Sequence, residues 1–143
     1  MTKVEKSALV KVSALQMFDL VGDVESYSEF LPWCKESRVL KRERDIVEAE
    51  LVISKAGFNK SFSTRNRSVG KEQLFMTLID GPFSSLDGVW NFIPLREDAS
   101  KISLDLEFEI NGKFANLAFG AVFNQICNTM VSSFTERAKQ LYC

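Results

Sequence analysis

The sequence predicts an α+β domain: a curved antiparallel sheet of about seven strands around one long C-terminal helix, with two short helices after the first strand. Three observations predict it. Period-two alternation of apolar residues recurs along the first 110 positions. Turn residues break that alternation at regular intervals, which implies consecutive antiparallel hairpins. After Asn111-Gly112 the apolar period changes to that of a helix and stays so to the end of the chain.

The elements follow in order. From Lys3 to Val12, Val4, Ala8, Val10 and Val12 share one parity, the mark of a half-buried strand. Ser13-Ala14-Leu15-Gln16 is a capping-box pattern, in which the serine caps and Gln16 reaches back. Leu15, Met17, Phe18 and Val21 then recur at helical spacing, and Gly22-Asp23 closes this first helix. Asp23 is placed to cap a second short helix, which runs toward Phe30 and stops before Pro32. Strands follow around Val47 to Ile53, Leu74 to Ile79, Leu86 to Phe92 and Ile102 to Ile110, the last having the cleanest alternation in the chain. Arg44-Asp45, Gly57, Gly70, Gly81-Pro82 and Glu97-Asp98 are the turn signals between them. The closing helix is predicted from about Phe114 to Leu141, some 40 Å long. Its first half is apolar nearly all round and slim, through Gly112, Ala115, Ala118 and Gly120, whereas Glu136, Arg137 and Lys139 mark a solvated end. A slim helix against a curved sheet is expected to leave a hollow.

Composition narrows the chemistry. At 143 residues, 45% hydrophobic and 26% charged, the chain fits one soluble domain over residues 1–143. A net charge of −1 argues against a surface that is basic throughout and against a DNA partner, but leaves room for a local basic patch. There is no histidine, which removes Ser-His-Asp and Cys-His catalysis and histidine metal sites. Cys34, Cys127 and Cys143 are too few and too scattered for a zinc motif or a disulfide framework, and fit a reducing, cytoplasmic setting. No run of about 18 apolar residues predicts a membrane span. Glu48, Glu50, Asp105, Glu107 and Glu109 have the parity opposite their strands' apolar faces, so no pair of carboxylates is expected to point inward.

Four strings carry a family resemblance. They are Met17-Phe18-Asp19-Leu20-Val21 with Val24-Glu25-Ser26-Tyr27 and Phe30-Leu31-Pro32-Trp33-Cys34; Phe62-Ser63-Thr64-Arg65-Asn66-Arg67; Gly81 to Phe92; and the closing helix from Phe123 to Ala138. Together they resemble the START-like helix-grip superfamily, also called the polyketide cyclase superfamily. The match is to its RatA-type ribosome association toxins and its coenzyme Q-binding START-domain proteins. Ser68 departs from the pattern, standing where a larger apolar residue is expected.

The resemblance implies a helix-grip fold and three functional classes. The first is a toxin-type protein, as in toxin-antitoxin systems, that binds the large ribosomal subunit, blocks subunit association and so inhibits translation. The second is a carrier of ubiquinone or another hydrophobic molecule that supports respiration, with transient membrane contact for ligand exchange. The third is a polyketide cyclase-like enzyme, ranked last because inward titratable groups are scarce. No cofactor is required in the first two.

Two sets of candidate residues follow. Trp33, Phe83, Trp90, Phe92, Phe119, Gly120 and Phe123 would wall a ligand cavity, the alternative being that they form an ordinary aromatic core. Gly88 would admit a backbone or ligand at close range. Arg65 and Arg67 on one strand face, with Lys41, Arg42 and Arg44 near a turn, would meet ribosomal RNA phosphates, the alternative being simple solvation. Cys34 is either a reactive or a structural thiol.

Overall fold

In the computed structural model, which describes residues 2–112 and 118–143, seven strands form one antiparallel sheet. The strands are β1 (Thr2–Val10), β2 (Cys34–Glu43), β3 (Ile46–Lys55), β4 (Phe58–Val69), β5 (Gln73–Asp80), β6 (Phe83–Arg96) and β7 (Ala99–Ile110). Their order across the sheet is β1-β7-β6-β5-β4-β3-β2, so every neighbour from β2 to β7 is a hairpin partner and only β1 joins from a distance. Each expected turn signal sits between two strands.

Between β1 and β2 lie α1 (Ala14–Gly22), a 3-10 turn (Val24–Ser26) and α2 (Tyr27–Phe30). Ser13 caps α1, its hydroxyl oxygen accepting from the Gln16 backbone N–H at 3.1 Å, and the Gln16 side chain returns to the same hydroxyl at 3.2 Å. The buried face of α1 is Ala14, Met17, Leu20 and Val21. Leu15, expected on that face, is 56% exposed, because the 3.6-residue repeat through Met17 and Val21 points position 15 away from the sheet. Asp23 does not cap through its side chain. Its carboxylate accepts from the Ser26 hydroxyl at 2.6 Å, and its backbone carbonyl from the Ser26 N–H.

The long helix α3 spans Phe119–Tyr142, 24 residues or about 36 Å. It begins later than the sequence suggests. Ala118 has φ 58°, a left-handed conformation no helix interior contains. Phe114, Ala115 and Leu117, expected in the first turns, lie outside the described residues. Helix α3 rests against β1 and β7 and against α1, while α2 and the 3-10 turn lie on β2.

Alternation builds the core. Ile102, Leu104, Leu106 and Phe108 of β7 are all buried, as are Leu86, Trp90 and Phe92 of β6. The aromatic residues gather at two places along α3. Near its start, Phe62, Phe83, Phe108 and Phe123 meet edge to face, with Phe83–Phe123 and Phe108–Phe123 centroids 4.7 and 4.8 Å apart, and Phe119 packs tilted against Phe83 and Phe123. Further along, Tyr27, Phe30 and Trp90 surround Phe134 at 5.2–5.4 Å.

Candidate functional site

Between these two aromatic groups the sheet and α3 do not close completely. They leave an apolar hollow of about 70 Å³. One wall is α3, through Phe123, Ile126, Cys127 and Met130. The sheet supplies Leu104 and Leu106 from β7, Leu86 and Trp90 from β6, and Met76 from β5. Phe62, Thr64 and Asn66 of β4 and Ala49 and Leu51 of β3 complete the floor. Val24, Tyr27 and Trp33 close the remaining side from the helical connection.

Of the seven expected cavity residues, Trp33, Trp90 and Phe123 line this hollow. The other four lie elsewhere. Phe83 and Phe119 belong to the aromatic group at the start of α3. Phe92 is sandwiched between Trp90 and Phe18, with centroids 6.3 and 5.5 Å away. Gly120 sits in the first turn of α3, where a Cβ would meet Ile110 Cγ1 at 3.2 Å. The glycine therefore admits the end of β7 and does not keep the hollow open. At about 70 Å³ the hollow is also well below the several hundred Å³ of a drug-sized pocket. The slim residues at the start of the helix predict a ligand-sized space. Phe119 and Phe123 fill that region instead.

Gly88 of β6 has a direct bearing on the hollow. A Cβ there would come within 2.5 Å of Leu106 Cδ1 and 3.0 Å of Met76 Cε, two of the lining side chains. Its lack of a side chain lets residues from both neighbouring strands meet above it.

The inner face of β4 holds the polar residues that sequence reasoning passed over. Thr64 and Asn66 share the parity of Phe62 and are buried. The Thr64 hydroxyl donates to Asn66 Oδ1 at 2.8 Å. Their signal in the sequence is a strand that lacks a clean apolar face, with Thr64 and Asn66 at the parity of Phe62. Asn66 also lines a crevice of about 340 Å³ between the end of α1 and the β2–β3 turn. Ser68, the departure from the family pattern, lies in the same crevice, and its backbone N–H donates to the Asp45 carbonyl at 2.8 Å.

Trp33 completes the polar set. Its carbonyl accepts from the Ser54 N–H at 2.8 Å, which ties the connection before β2 to the end of β3. The ring is 5% exposed, yet its Nε1–H is buried with no hydrogen-bond partner among the described residues. A buried donor left unpaired costs about 1–3 kcal/mol, so this one stands out.

Among the described residues, no Asp, Glu, Lys or Arg lines the hollow. Its titratable groups are Tyr27 and Cys127, both shifted upward by burial and so neutral at pH 7. The Tyr27 hydroxyl is already committed to the Val21 carbonyl. Cys34 lies outside the wall; burial pushes its thiol up to about 11, the opposite of a reactive cysteine.

The five expected phosphate-binding cations divide between two faces. Lys41 pairs with Glu48, which pairs with Arg65, one row across the outer face of β2, β3 and β4. Arg42 stands opposite Val47, and Val47 opposite Asn66, so Arg42 belongs to the inner rim and forms an ion pair with Glu25 at 3.7 Å. The β-bulge between Val39 and Lys41 disturbs the register just before these residues. Arg65 is held by Glu48 at 2.8 Å and Lys41 by Glu43 at 3.2 Å. The Arg67 guanidinium lies over the Phe75 ring at 4.9 Å, and Arg44 occupies the β2–β3 turn with φ 26°. At the other side of the sheet the outer face is acidic: Glu5 stands opposite Asp105, and Asp87 opposite Glu107.

Comparison with known proteins places this geometry. Residues 10–135 match the family described as polyketide cyclase/dehydrase and lipid transport. A ribosome association toxin RatA from Vibrio cholerae is 49% identical over 142 residues, covering 99% of both chains. The persistence and stress-resistance toxin PasT from an Escherichia coli O6:H1 strain is 45% identical over 99% of this chain and 90% of its own. A mitochondrial coenzyme Q-binding protein COQ10 homolog B from Xenopus laevis is 27% identical over 96% of this chain and 58% of its own. Among solved structures, the ZhuI aromatase/cyclase from Streptomyces superposes with a TM-score of 0.84, covering 97% of this chain and 94% of that one. At 15% identity that likeness shows the shared fold alone. The curved seven-stranded sheet, the long closing helix and these matches show that the chain belongs to the START-like polyketide cyclase/dehydrase and lipid transport family, and within it to the RatA group.

Proposed function

We propose that the chain works as one START-like domain over residues 1–143 in the cytoplasm, binding the large ribosomal subunit and blocking subunit association in the manner of a toxin-type translation inhibitor. The observation that carries this reading is its 49% identity, end to end, with a protein named for ribosome association. The charge distribution supports one side of the molecule as the contact. Phosphates are repelled by the acidic rows of β1, β7 and β6, whereas Lys41, Arg65 and Arg67 are exposed on β2 and β4. Exposed ion pairs are worth at most about 1 kcal/mol, so the carboxylates holding Lys41 and Arg65 yield readily to phosphate. Arg42 and Arg44 contribute from the rim of the same sheet edge.

Co-sedimentation with isolated ribosomal subunits on sucrose gradients tests the proposal. The protein is expected in the large-subunit fraction at low salt and is expected to leave it as salt rises, because each neutralised phosphate releases counterion. Arg65→Glu together with Arg67→Glu is expected to weaken binding at every salt concentration. Absence from that fraction at low salt, with unchanged subunit joining, removes the reading.

A second reading rests on the hollow. Its wholly uncharged wall favours a hydrophobic ligand, and a 27% identical relative is named for coenzyme Q binding. In this reading the chain carries a quinone or similar apolar molecule, exchanged at a membrane surface. An enzymatic role gains no support from the wall, which offers a committed tyrosine, a neutral buried thiol and no carboxylate. Among the described residues no helix is long and apolar enough to cross a membrane.

A further inference from the structure

We propose that the hollow selects a neutral apolar molecule bearing a hydrogen-bond acceptor, such as a ketone or ester carbonyl, and that the Trp33 indole N–H is the group that reads it. The proposal rests on the second reading above, that the hollow takes a ligand at all.

Three features of the wall lead to it. First, one buried polar group of the wall residues stands without a partner, and it is a donor. Trp33 Nε1–H has no partner among the described residues. Second, charged ligands are disfavoured. The Tyr27 hydroxyl hydrogen is spent on the Val21 carbonyl. Among the described residues the wall has no cation to balance an anionic ligand and no carboxylate to hold an amine. A neutral acceptor is therefore the group that satisfies the unpaired Trp33 N–H. Third, the wall can give way. Met76 and Met130 are half-buried and unbranched, with three rotatable bonds each, so the 70 Å³ hollow can widen without breaking a strand. Asn66 stands on both the hollow and the 340 Å³ crevice beside α1, which supplies a route inward.

The test compares two probes of one shape, cyclohexanone and methylenecyclohexane, in which C=O is exchanged for C=CH₂. Binding is followed on the intact protein by two-dimensional ¹H–¹⁵N spectra. The chain has two tryptophans and so two indole signals, and Trp33→Phe identifies which belongs to Trp33. Cyclohexanone is expected to bind about threefold to tenfold more tightly than methylenecyclohexane, the worth of one neutral hydrogen bond. It is also expected to move the Trp33 indole proton downfield, which the hydrocarbon does not. Trp33→Phe is expected to bring the two affinities together by weakening the ketone alone. If that variant does not fold, the indole signal of Trp33 is assigned through space in the unaltered protein, and its downfield shift with bound ketone carries the test. Equal binding of both probes to the unaltered protein, or an unshifted Trp33 signal with bound ketone, overturns the proposal and leaves an apolar ligand site standing. Binding of neither probe overturns the ligand-carrying reading and this proposal with it.

Discussion

The two halves of the sheet are built to different standards. Along the middle of β6 and β7, from Leu86 to Phe92 and from Ile102 to Phe108, inward and outward residues alternate, the inward side chains are apolar and buried against α1 and α3, and the two register shifts of this pair lie at its ends, next to Ser85 and Pro94. In β2, β3 and β4 the alternation is broken. The β2–β3 pairing carries two register shifts and the β4–β5 pairing one, next to Ser63. Much of β3 is only half-buried, and β4 turns Thr64 and Asn66 inward. The helix rests on β1 and β7, and the hollow opens from there across the sheet to β4 and β3. A strand with a clean period of two can be closed by packing alone. A strand whose inner face is part polar cannot, because those groups need partners or space.

The contrast can be broken from the rigid side first. Phe108→Ala removes a ring that meets both Phe83 and Phe123, and is expected to cost about 3–5 kcal/mol, read as a lower urea midpoint at unchanged slope. A much smaller loss would mean that the aromatic group at the start of α3 collapses readily into the space.

Gly88→Ala tests the seam between the halves. The new methyl is expected to push Leu106 and Met76 apart at about 1–3 kcal/mol, toward the lower figure because both obstructing atoms are ends of flexible side chains. It is also expected to narrow the hollow, so the affinity of any small apolar probe should fall with the stability.

A pH titration sharpens the comparison on the open side. Cys34 and Cys127 both have thiols raised above their ordinary value of 9.0 by burial. Below pH 9 the folded and unfolded chains both hold these protons, so the full stability is present. Above it the unfolded chain releases protons that the folded chain keeps, and stability is expected to fall as pH rises toward about 11. Melting temperatures between pH 8 and 10.5 should show the decline, and replacing Cys34 and Cys127 together by alanine should flatten it.

The smallest effect is expected at the polar floor. Thr64→Val with Asn66→Leu removes both members of one buried hydrogen bond, so stability should stay within about 1 kcal/mol of the unaltered protein. A loss as large as that of Phe108→Ala would show that the polar pair holds the sheet together, and that the two halves differ less than their patterns suggest.

The sheet is legible in the sequence alone. Period-two alternation and turn residues are local properties, and Ile102 to Ile110 or Gly81-Pro82 have few other ways to fold. So are the short helices, through the Ser13 cap, and the uncharged character of the interior, through the parity of its acidic residues. Two specific strings, Tyr27 to Cys34 and Gly81 to Trp90, also carry the family. Tertiary structure decided where space remains. Gly120 reads as a gap in a helix, yet Ile110 lies 3.2 Å from where its Cβ would be. Trp33 reads as one more aromatic, yet burial without a partner makes its N–H exceptional. Arg42 and Lys41 alternate as strand neighbours must, and the bulge before them decides that Arg42, not Lys41, comes to the inner side of the sheet. Volume, pairing and facing depend on residues distant in the chain, which local periodicity does not encode.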